Sequence, residues 1–258
     1  MEPGAQGREV PGAGEQTARF VERWTQRSGI RIRYADNAPA DPVGLPILFV
    51  PGLSDVAEEY RETLEFFTPR RCIVVEVRGR GRSDAPASGY RSADHMADLA
   101  AVVAEEGLSR FHLMTFSRGT TWALDLAFAN PGAVASVSIG DYRAGEVRIE
   151  GFVERLWASS FRGKRLSDRI QRHVLDELAR ESKPRECYEA LAALGVPVLV
   201  ARGTAGGIVD DAVAARYREA IPDVEIVTIP GAAHDLFRPS RTAYPAAVQA
   251  FLARRTKE

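Results

Sequence analysis

The sequence predicts an α/β fold built on a doubly wound, mostly parallel sheet of eight strands. Two observations support this: short runs of strand length alternate with helical segments, and most of these runs are predominantly apolar. Continuously apolar runs are typical of strands buried on both faces of a parallel sheet, and the alternation places helices on those faces. With 258 residues, 45% of them hydrophobic, the chain can build one such core with a modest insertion.

The elements of the first half follow from these patterns. Residues 1–18 are rich in Gly, Pro and Glu and lack an apolar stretch, so we expect a flexible N-terminal lead. Alternating apolar residues over 19–25 and 29–34 predict two half-buried edge strands. Apolar runs then predict buried strands over 45–50 and 72–77, and helical spacing predicts helices over 58–67 and 92–106.

The second half continues the alternation but is interrupted once. Residues 142–194 are richly charged, have helical spacing and show no strand run, so we expect a helical insertion into a core formed by 19–141 and 195–258. The core elements predicted here are strands over 111–115, 134–139, 196–201 and 224–229, and helices over 210–220 and 242–254, with a further helical pattern that runs from the elbow to Asn130-Pro131-Gly132.

Composition narrows the classes of partner. The formal net charge is −1 and the charges of both signs are interspersed, which argues against a nucleic-acid partner. No apolar run reaches the ~18 residues of a membrane span, and the N-terminus does not resemble a signal peptide. Because Cys72 and Cys187 form no CxxC motif, we expect a reducing cytoplasm. The expected partner is a small-molecule substrate. The sequence leaves open whether the protein forms a homodimer.

The main chemical signal is a serine between a strand and a helix. The apolar run over 111–115 meets Ser117-Arg118-Gly119 and continues as an Ala/Leu-rich helix. A sharp strand–turn–helix bend of this kind is a nucleophile elbow, which exposes the serine hydroxyl at the sheet edge. On these residues alone, an ordinary strand-to-helix turn is an equally good interpretation.

A serine hydroxyl needs a base within hydrogen-bond reach. Of the four histidines, only His234 follows a strand end, in the loop after the last predicted strand. His95 falls inside a helix, His112 at the start of a strand and His173 in the insertion. Because the carboxyl ends of parallel strands share one edge of the sheet, the sequence favours His234 as the base.

The base in turn needs a carboxylate, and two candidates follow strand ends. Asp141 comes directly after the strand predicted over 134–139, whereas Asp210 follows the next strand through a glycine-containing loop. Asp210 also fits the N-cap of the helix that follows it. We favour Asp141 because it lies at a strand tip, and Asp210 remains the alternative acid.

Two backbone N–H groups would complete such a site by binding the developing oxyanion. The positions point to Arg118, at the start of the elbow helix, and to Leu53, in the turn after Pro51-Gly52. No metal-ligand cluster and no phosphate-binding loop occurs in the sequence. We therefore expect neither a cofactor nor a metal.

Taken together, these segments resemble the α/β-hydrolase family from about Ile30 to the C-terminus. Pro51-Gly52-Leu53 looks like the family's His-Gly-x turn, with proline in place of histidine. Residues 76–83 look like its Asp-x-Arg-Gly-x-Gly-x-Ser segment, with Glu76 in place of aspartate. Residues 230–234 are similar to its histidine loop and residues 142–194 to its cap insertion.

Two positions depart from the family pattern. Thr115 replaces the first glycine of the elbow, where we expect it to crowd the packing of helix on strand. Gly206 stands where the family usually has its acid, but some members carry the acid after the preceding strand, as Asp141 would.

The resemblance implies a cofactor-independent serine hydrolase that acts on an ester, thioester, lactone or amide through Ser117, His234 and Asp141. The alternative is a non-hydrolytic protein on the same fold: an acyltransferase, cyclase or lyase using the same site, or an inactive ligand-binding protein. Apolar residues of the insertion either line a substrate pocket or only pack against one another: Phe152, Leu156, Trp157 and Phe161.

Overall fold

A computed structural model describes residues 19–204 and 206–255, so the lead predicted over 1–18 lies outside the described residues. Its centre is an eight-stranded sheet, which confirms the predicted fold class. The strands are β1 Val21–Arg27, β2 Ile30–Asp36, β3 Ile47–Val50, β4 Cys72–Glu76, β5 Phe111–Phe116, β6 Val134–Gly140, β7 Val198–Gly203 and β8 Glu225–Ile229. They lie in the order β1-β2-β4-β3-β5-β6-β7-β8. Strand β2 is antiparallel to both of its neighbours, and β3 to β8 are parallel.

Helices cover both faces of the sheet. Strand β3 is buried on both sides: Leu48 and Val50 enter one hydrophobic cluster, and Ile47 and Phe49 enter another. Helices α2, α3 and α7 contribute to the first cluster, and α1 and α8 to the second. The helix bounds are α1 Arg61–Phe67, α2 Ser92–Glu105, α3 Gly119–Ala129, α4 Val153–Trp157, α5 Arg172–Glu181, α6 Tyr188–Ala193, α7 Asp211–Ala220 and α8 Ala243–Arg255. None of the helices in the described ranges is both long enough and apolar enough to cross a membrane.

The prediction of two edge strands is wrong for the second of them. Strand β1 lies at the sheet edge, but β2 lies inside it, paired with β1 and β4. The alternation of polar and apolar residues in β2 indicated a face exposed to water, but Arg33, a polar residue of β2, is fully buried. The Arg33 Nη1 atom lies 3.2 Å from the Glu76 Oε1 atom, so an ion pair inside the fold replaces contact with water.

The segment predicted as an insertion, residues 142–194, lies between β6 and β7 in the chain. It contains α4, α5 and α6, as its helical spacing indicates. It also contains four strands of two residues each, Gly145–Glu146 paired with Arg185–Glu186 and Ser160–Phe161 paired with Lys164–Arg165. Strands this short leave no periodic signal in a sequence, which is why none was predicted.

A buried polar cluster joins the loop after β4 to helices α2 and α3. The Arg80 Nη1 atom donates to His95 Nε2 at 3.0 Å, and the His95 ring stacks on Trp122 with a centroid distance of 4.2 Å. Because a guanidinium can only donate, this imidazole must be neutral, with its Nδ1–H directed at the carbonyl of Arg91 3.0 Å away. Burial and the positive charge of Arg80 lower the pKa of His95 well below its ordinary value of 6.5.

This cluster should make the protein sensitive to acid. Unfolded His95 binds a proton below about pH 6.5 and folded His95 does not, so the free energy of unfolding falls as the pH drops below that value. The expected slope from this one group is up to about 1.4 kcal/mol per pH unit. Urea unfolding between pH 5 and 8 should give a steeper decline for the wild type than for His95→Gln. Parallel profiles would show that folding does not lower the pKa of His95.

Candidate active site

The elbow serine lies where strand β5 gives way to helix α3. Ser117 has a φ of +49°, in the left-handed region that most side chains avoid. Gly119 follows, and a Cβ atom there would lie 2.2 Å from the Pro51 carbonyl oxygen and 2.3 Å from that of Val50. A glycine is therefore required for α3 to start this close to β3, and the sharp bend exposes Ser117 at the carboxyl edge of the sheet.

The threonine that replaces the first elbow glycine is accommodated by a hydrogen bond. The Thr115 hydroxyl lies 2.9 Å from the Thr120 hydroxyl and 3.3 Å from the carbonyl oxygen of Ser138. Both threonines are fully buried. Instead of crowding the helix, Thr115 is tied to its first turn.

The loop between β8 and α8 brings the predicted base to the serine. The His234 Nε2 atom lies 2.9 Å from the Ser117 Oγ atom, which is hydrogen-bonding distance. The ring is also stacked against Phe116, with a centroid distance of 5.3 Å. This stacking fixes the plane of the imidazole while 32% of the side chain stays exposed on the cavity side.

The other three histidines are engaged elsewhere. His95 is held between Arg80 and Arg91, as described above. The His112 Nδ1 atom lies 2.8 Å from the Ser136 hydroxyl, and the His173 Nε2 atom lies 3.2 Å from the carbonyl oxygen of Pro86. Their positions agree with their exclusion on sequence grounds.

Of the two candidate acids, the structure brings Asp141 to the histidine. The Asp141 Oδ2 atom lies 2.7 Å from His234 Nδ1, and the carboxylate is fully buried. Asp141 has a φ of +42°, so the chain turns sharply as β6 ends. Asp210 is used differently: its Oδ1 atom accepts the N–H of Val213 at 2.8 Å and caps helix α7.

The loop after β7, which lacks the usual acid, serves Asp141 instead. The N–H groups of Ile208 and Val209 donate to its two carboxylate oxygens at 2.9 and 3.1 Å. A Cβ atom on Gly207 would lie 2.6 Å from Asp141 Oδ1, so only glycine lets this loop approach the carboxylate. These two donors fix the orientation of the Asp141 carboxylate.

The two predicted oxyanion donors face the same cavity as the serine. Leu53 and Arg118 line it together with Ser117 and His234. Within the described residues, neither backbone N–H donates to another protein group. The turn that carries Leu53 is itself held by hydrogen bonds: the N–H of Gly52 donates to Asp55 at 2.8 Å, and the carbonyl of Leu53 accepts from Arg80 Nε at 2.7 Å.

The cavity above Ser117 has a volume of about 310 Å³ and is mostly apolar. Of the four apolar insertion residues considered above, Leu156 and Phe161 line it. Phe152 is 47% exposed. Trp157 packs against Arg172, whose guanidinium carbon lies 5.6 Å from the centre of the Trp157 ring. The insertion therefore forms part of the cavity wall with only some of its apolar side chains.

Charged groups in the cavity wall are paired with protein groups. The Arg118 guanidinium donates to Glu146 and to the Val147 carbonyl, both at 2.9 Å. The Asp55 carboxylate accepts the Tyr60 hydroxyl at 2.5 Å in addition to the Gly52 N–H. Among the described residues, no group of three or more His, Cys, Asp or Glu side chains could hold a metal ion.

Sequence reasoning missed a set of residues directly behind this site. Arg162 of the insertion binds both Glu59 and Asp235, and Asp235 is the neighbour of His234. The one signal available was an Asp directly after the candidate base. Its partner could not be identified because it lies 73 residues away in the chain.

Comparisons with known proteins identify relatives of this chain. A curated relative, a non-heme chloroperoxidase from Streptomyces lividans, is 34% identical over 114 residues, which are 43% of this chain and 41% of the relative. A second curated relative is matched over 51% of its length. This chain thus spans about half or less of the length of the curated relatives it matches.

Solved structures share the fold over nearly the whole chain. The structure of E-2-(acetamidomethylene)succinate hydrolase superposes with a TM-score of 0.74 at 20% identity and covers 91% of this chain and all of its own. The esterase RhEst1 from Rhodococcus sp. ECU1013 gives 0.73 at 22% identity, covering 92% of this chain and 99% of its own. The sequence profile of the alpha/beta hydrolase family matches residues 47–248, most of the chain, and the protein therefore belongs to that family.

Proposed function

We propose that the protein is a serine hydrolase that cleaves an ester, thioester, lactone or amide of a small organic substrate through an acyl-enzyme. One observation carries the proposal: an unbroken chain of hydrogen bonds runs from Ser117 Oγ through the His234 ring to the buried carboxylate of Asp141. This is the order of groups that turns a weak alcohol into a nucleophile.

In the acylation step, Ser117 Oγ attacks the substrate carbonyl carbon while His234 Nε2 takes the hydroxyl proton. Asp141 holds the Nδ1–H tautomer and stabilises the imidazolium that forms. The N–H groups of Leu53 and Arg118 bind the oxyanion of the tetrahedral intermediate. His234 then gives its proton to the leaving group, and the acyl group stays on Ser117.

In the second step, water takes the place of the leaving group. His234 removes a proton from the water as it attacks the acyl carbon, and returns that proton to Ser117 Oγ as the acid departs. Every proton and electron pair is accounted for by the substrate, water and the three side chains. The proposed reaction therefore needs no cofactor.

The names of two structural neighbours support hydrolysis over mere binding. The structurally similar proteins include an esterase from Rhodococcus and a hydrolase of a substituted succinate. An inactive ligand-binding protein would be favoured if the site had no acid, since Gly206 stands where the family usually has one. The Asp141 carboxylate, 2.7 Å from the His234 ring, argues against that alternative.

The cavity sets the expected substrate size. A volume of about 310 Å³ lies near the lower end of the ~300–1,000 Å³ of ligand pockets, so we expect short, uncharged acyl groups. In a series of p-nitrophenyl esters from acetate to palmitate, kcat/KM should rise roughly fourfold per methylene, at ~0.8 kcal/mol each, until the cavity is full, and then fall.

A p-nitrophenyl hemisuccinate is the matched control for this series. Its carboxylate would be desolvated beside Asp55, so it should react more slowly than the butyrate of similar size. If the protein hydrolyses none of these esters faster than buffer alone does, the proposed function is contradicted.

A further inference from the structure

The turn of one small hairpin of the insertion carries an arginine that points into the protein. The hairpin pairs Ser160–Phe161 with Lys164–Arg165, and its two turn residues, Arg162 and Gly163, have φ of +51° and +75°. Such a turn favours Asn-Gly, because the Cβ atom of most residues is disfavoured at positive φ, whereas glycine lacks it and asparagine tolerates it. The Arg162 side chain is only 1% exposed, although the two strand residues that follow the turn are exposed.

The guanidinium of Arg162 binds the loop that carries the proposed base. Its Nε and Nη2 atoms donate to the two carboxylate oxygens of Asp235 at 2.9 and 2.7 Å, a bidentate pair. Asp235 directly follows His234 and also accepts the N–H of Phe237 at 3.1 Å. Arg162 holds the pKa of Asp235 below its ordinary value although burial opposes this, so the pair is an ionic one.

The same guanidinium reaches the segment that follows the proposed oxyanion turn. The Arg162 Nη1 atom lies 3.3 Å from Glu59, and the guanidinium carbon lies 5.2 Å from the centre of the Tyr60 ring. Tyr60 in turn donates its hydroxyl to Asp55, whose carboxylate holds the N–H of Gly52, next to Leu53. One cation thus binds the histidine loop directly and is linked to the proposed oxyanion turn through Tyr60 and Asp55.

Aromatic rings complete the enclosure of this cation. Its guanidinium carbon lies 4.8 Å from the centre of the Phe161 ring, 5.3 Å from that of Phe237 and 6.0 Å from that of Phe116. Phe116 is the ring against which His234 stacks. Cation–π contacts of this kind gain strength when the cation is desolvated, as it is here.

We propose that Arg162 is a positioning residue that holds the histidine loop and the oxyanion turn in register, so that the insertion itself keeps the triad assembled. This inference rests on the proposed function. Arg162 acts through Asp235, Glu59 and Tyr60 and not by touching the substrate. The contacts of its guanidinium offset the cost of placing arginine at a turn position with positive φ.

The test separates the turn role of residue 162 from the role of its guanidinium. Arg162→Asn suits the turn better than arginine and removes only the cation. Arg169 continues to bind Glu59 and the Phe161 carbonyl, so the hairpin stays attached to the core. We expect kcat for the best ester, and the rate at which a fluorophosphonate labels Ser117, to fall about 10- to 100-fold, because a displacement of 1 Å costs about that much.

Three controls accompany this variant. Added guanidinium chloride at non-denaturing concentration should restore part of the Arg162→Asn rate by filling the vacated site. Arg162→Lys keeps the positive charge but not the two parallel hydrogen bonds of the guanidinium, so its rate should lie between those of the wild type and Arg162→Asn. Arg172→Ala removes another arginine of the insertion, whose ion pairs join Glu154 and Asp176 within the insertion, and should leave the rate unchanged.

The outcomes distinguish the two proposals. If wild-type Ser117 reacts with the fluorophosphonate and folded Arg162→Asn reacts as fast, the positioning role is refuted and the proposed function stands. The positioning role is also refuted if Arg162→Asn reacts slowly and neither added guanidinium nor the Arg162→Lys substitution gives a faster rate. The loss would then come from a changed shape of the hairpin and not from the missing cation. If Arg162→Asn does not fold, Asp235→Asn removes the ion pair from the other side at nearly constant volume, and a wild-type labelling rate in that variant refutes the positioning role. A wild-type Ser117 that never reacts overturns both proposals.

Discussion

Replacement of Ser117 by alanine should lower kcat for the best ester by about 10⁴- to 10⁶-fold, the range found when a triad serine is removed. The reason is that no other hydroxyl in the described site has His234 as a base: its Nε2 atom lies 2.9 Å from Ser117 Oγ. What activity remains should reflect substrate binding and the backbone N–H donors alone. The measurement is the steady-state rate of p-nitrophenol release.

Ser159→Ala provides a matched control for this variant. Ser159 also lines the cavity, but its hydroxyl is committed to the carbonyl of Leu156 at 2.6 Å. Its loss should change kcat by a few-fold at most. Equal losses in the two variants would indicate that the cavity needs polar walls and not a nucleophile at position 117.

The second large effect is expected at the acid. Asp141→Asn should lower kcat by about 10⁴-fold, because an amide can donate to Nδ1 and then holds His234 in the wrong tautomer. The exchange leaves the volume of the side chain almost unchanged. The fold should therefore survive, and circular dichroism can verify this before the rates are compared.

Asp210→Asn is the counterpart of this experiment. Asparagine is as good an N-cap as aspartate, so helix α7 should keep its cap and the rate should stay at the wild-type value. The reverse pattern, a large loss for Asp210→Asn and none for Asp141→Asn, would transfer the acid role to Asp210 and require the loop after β7 to move.

Much of this fold could be predicted from the sequence because burial on both faces makes a strand mostly apolar. Strands β3, β5 and β6 are of this kind, and every residue in them is buried. Strand β2 was misplaced for the opposite reason. Its Arg33 finds an ion pair with Glu76 inside the protein, and no local pattern distinguishes that from a residue in water.

The site was predictable to the extent that one sheet edge collects the strand ends. This rule selected Ser117 and His234, and it left Asp141 and Asp210 as alternatives because both follow strands. The structure separates them through Gly207, which lets the loop after β7 reach the Asp141 carboxylate. Contacts such as that of Arg162 with Glu59, 103 residues apart, depend on tertiary packing alone.

The central claim is that Ser117 is a nucleophile activated by His234 and Asp141. Intact-mass spectrometry after treatment with a fluorophosphonate tests it most directly, followed by mapping of the modified peptide. We predict one adduct per chain on Ser117, absent in Ser117→Ala and formed far more slowly in Asp141→Asn. A folded wild-type protein that gains no adduct, or gains it on another residue, would contradict the claim.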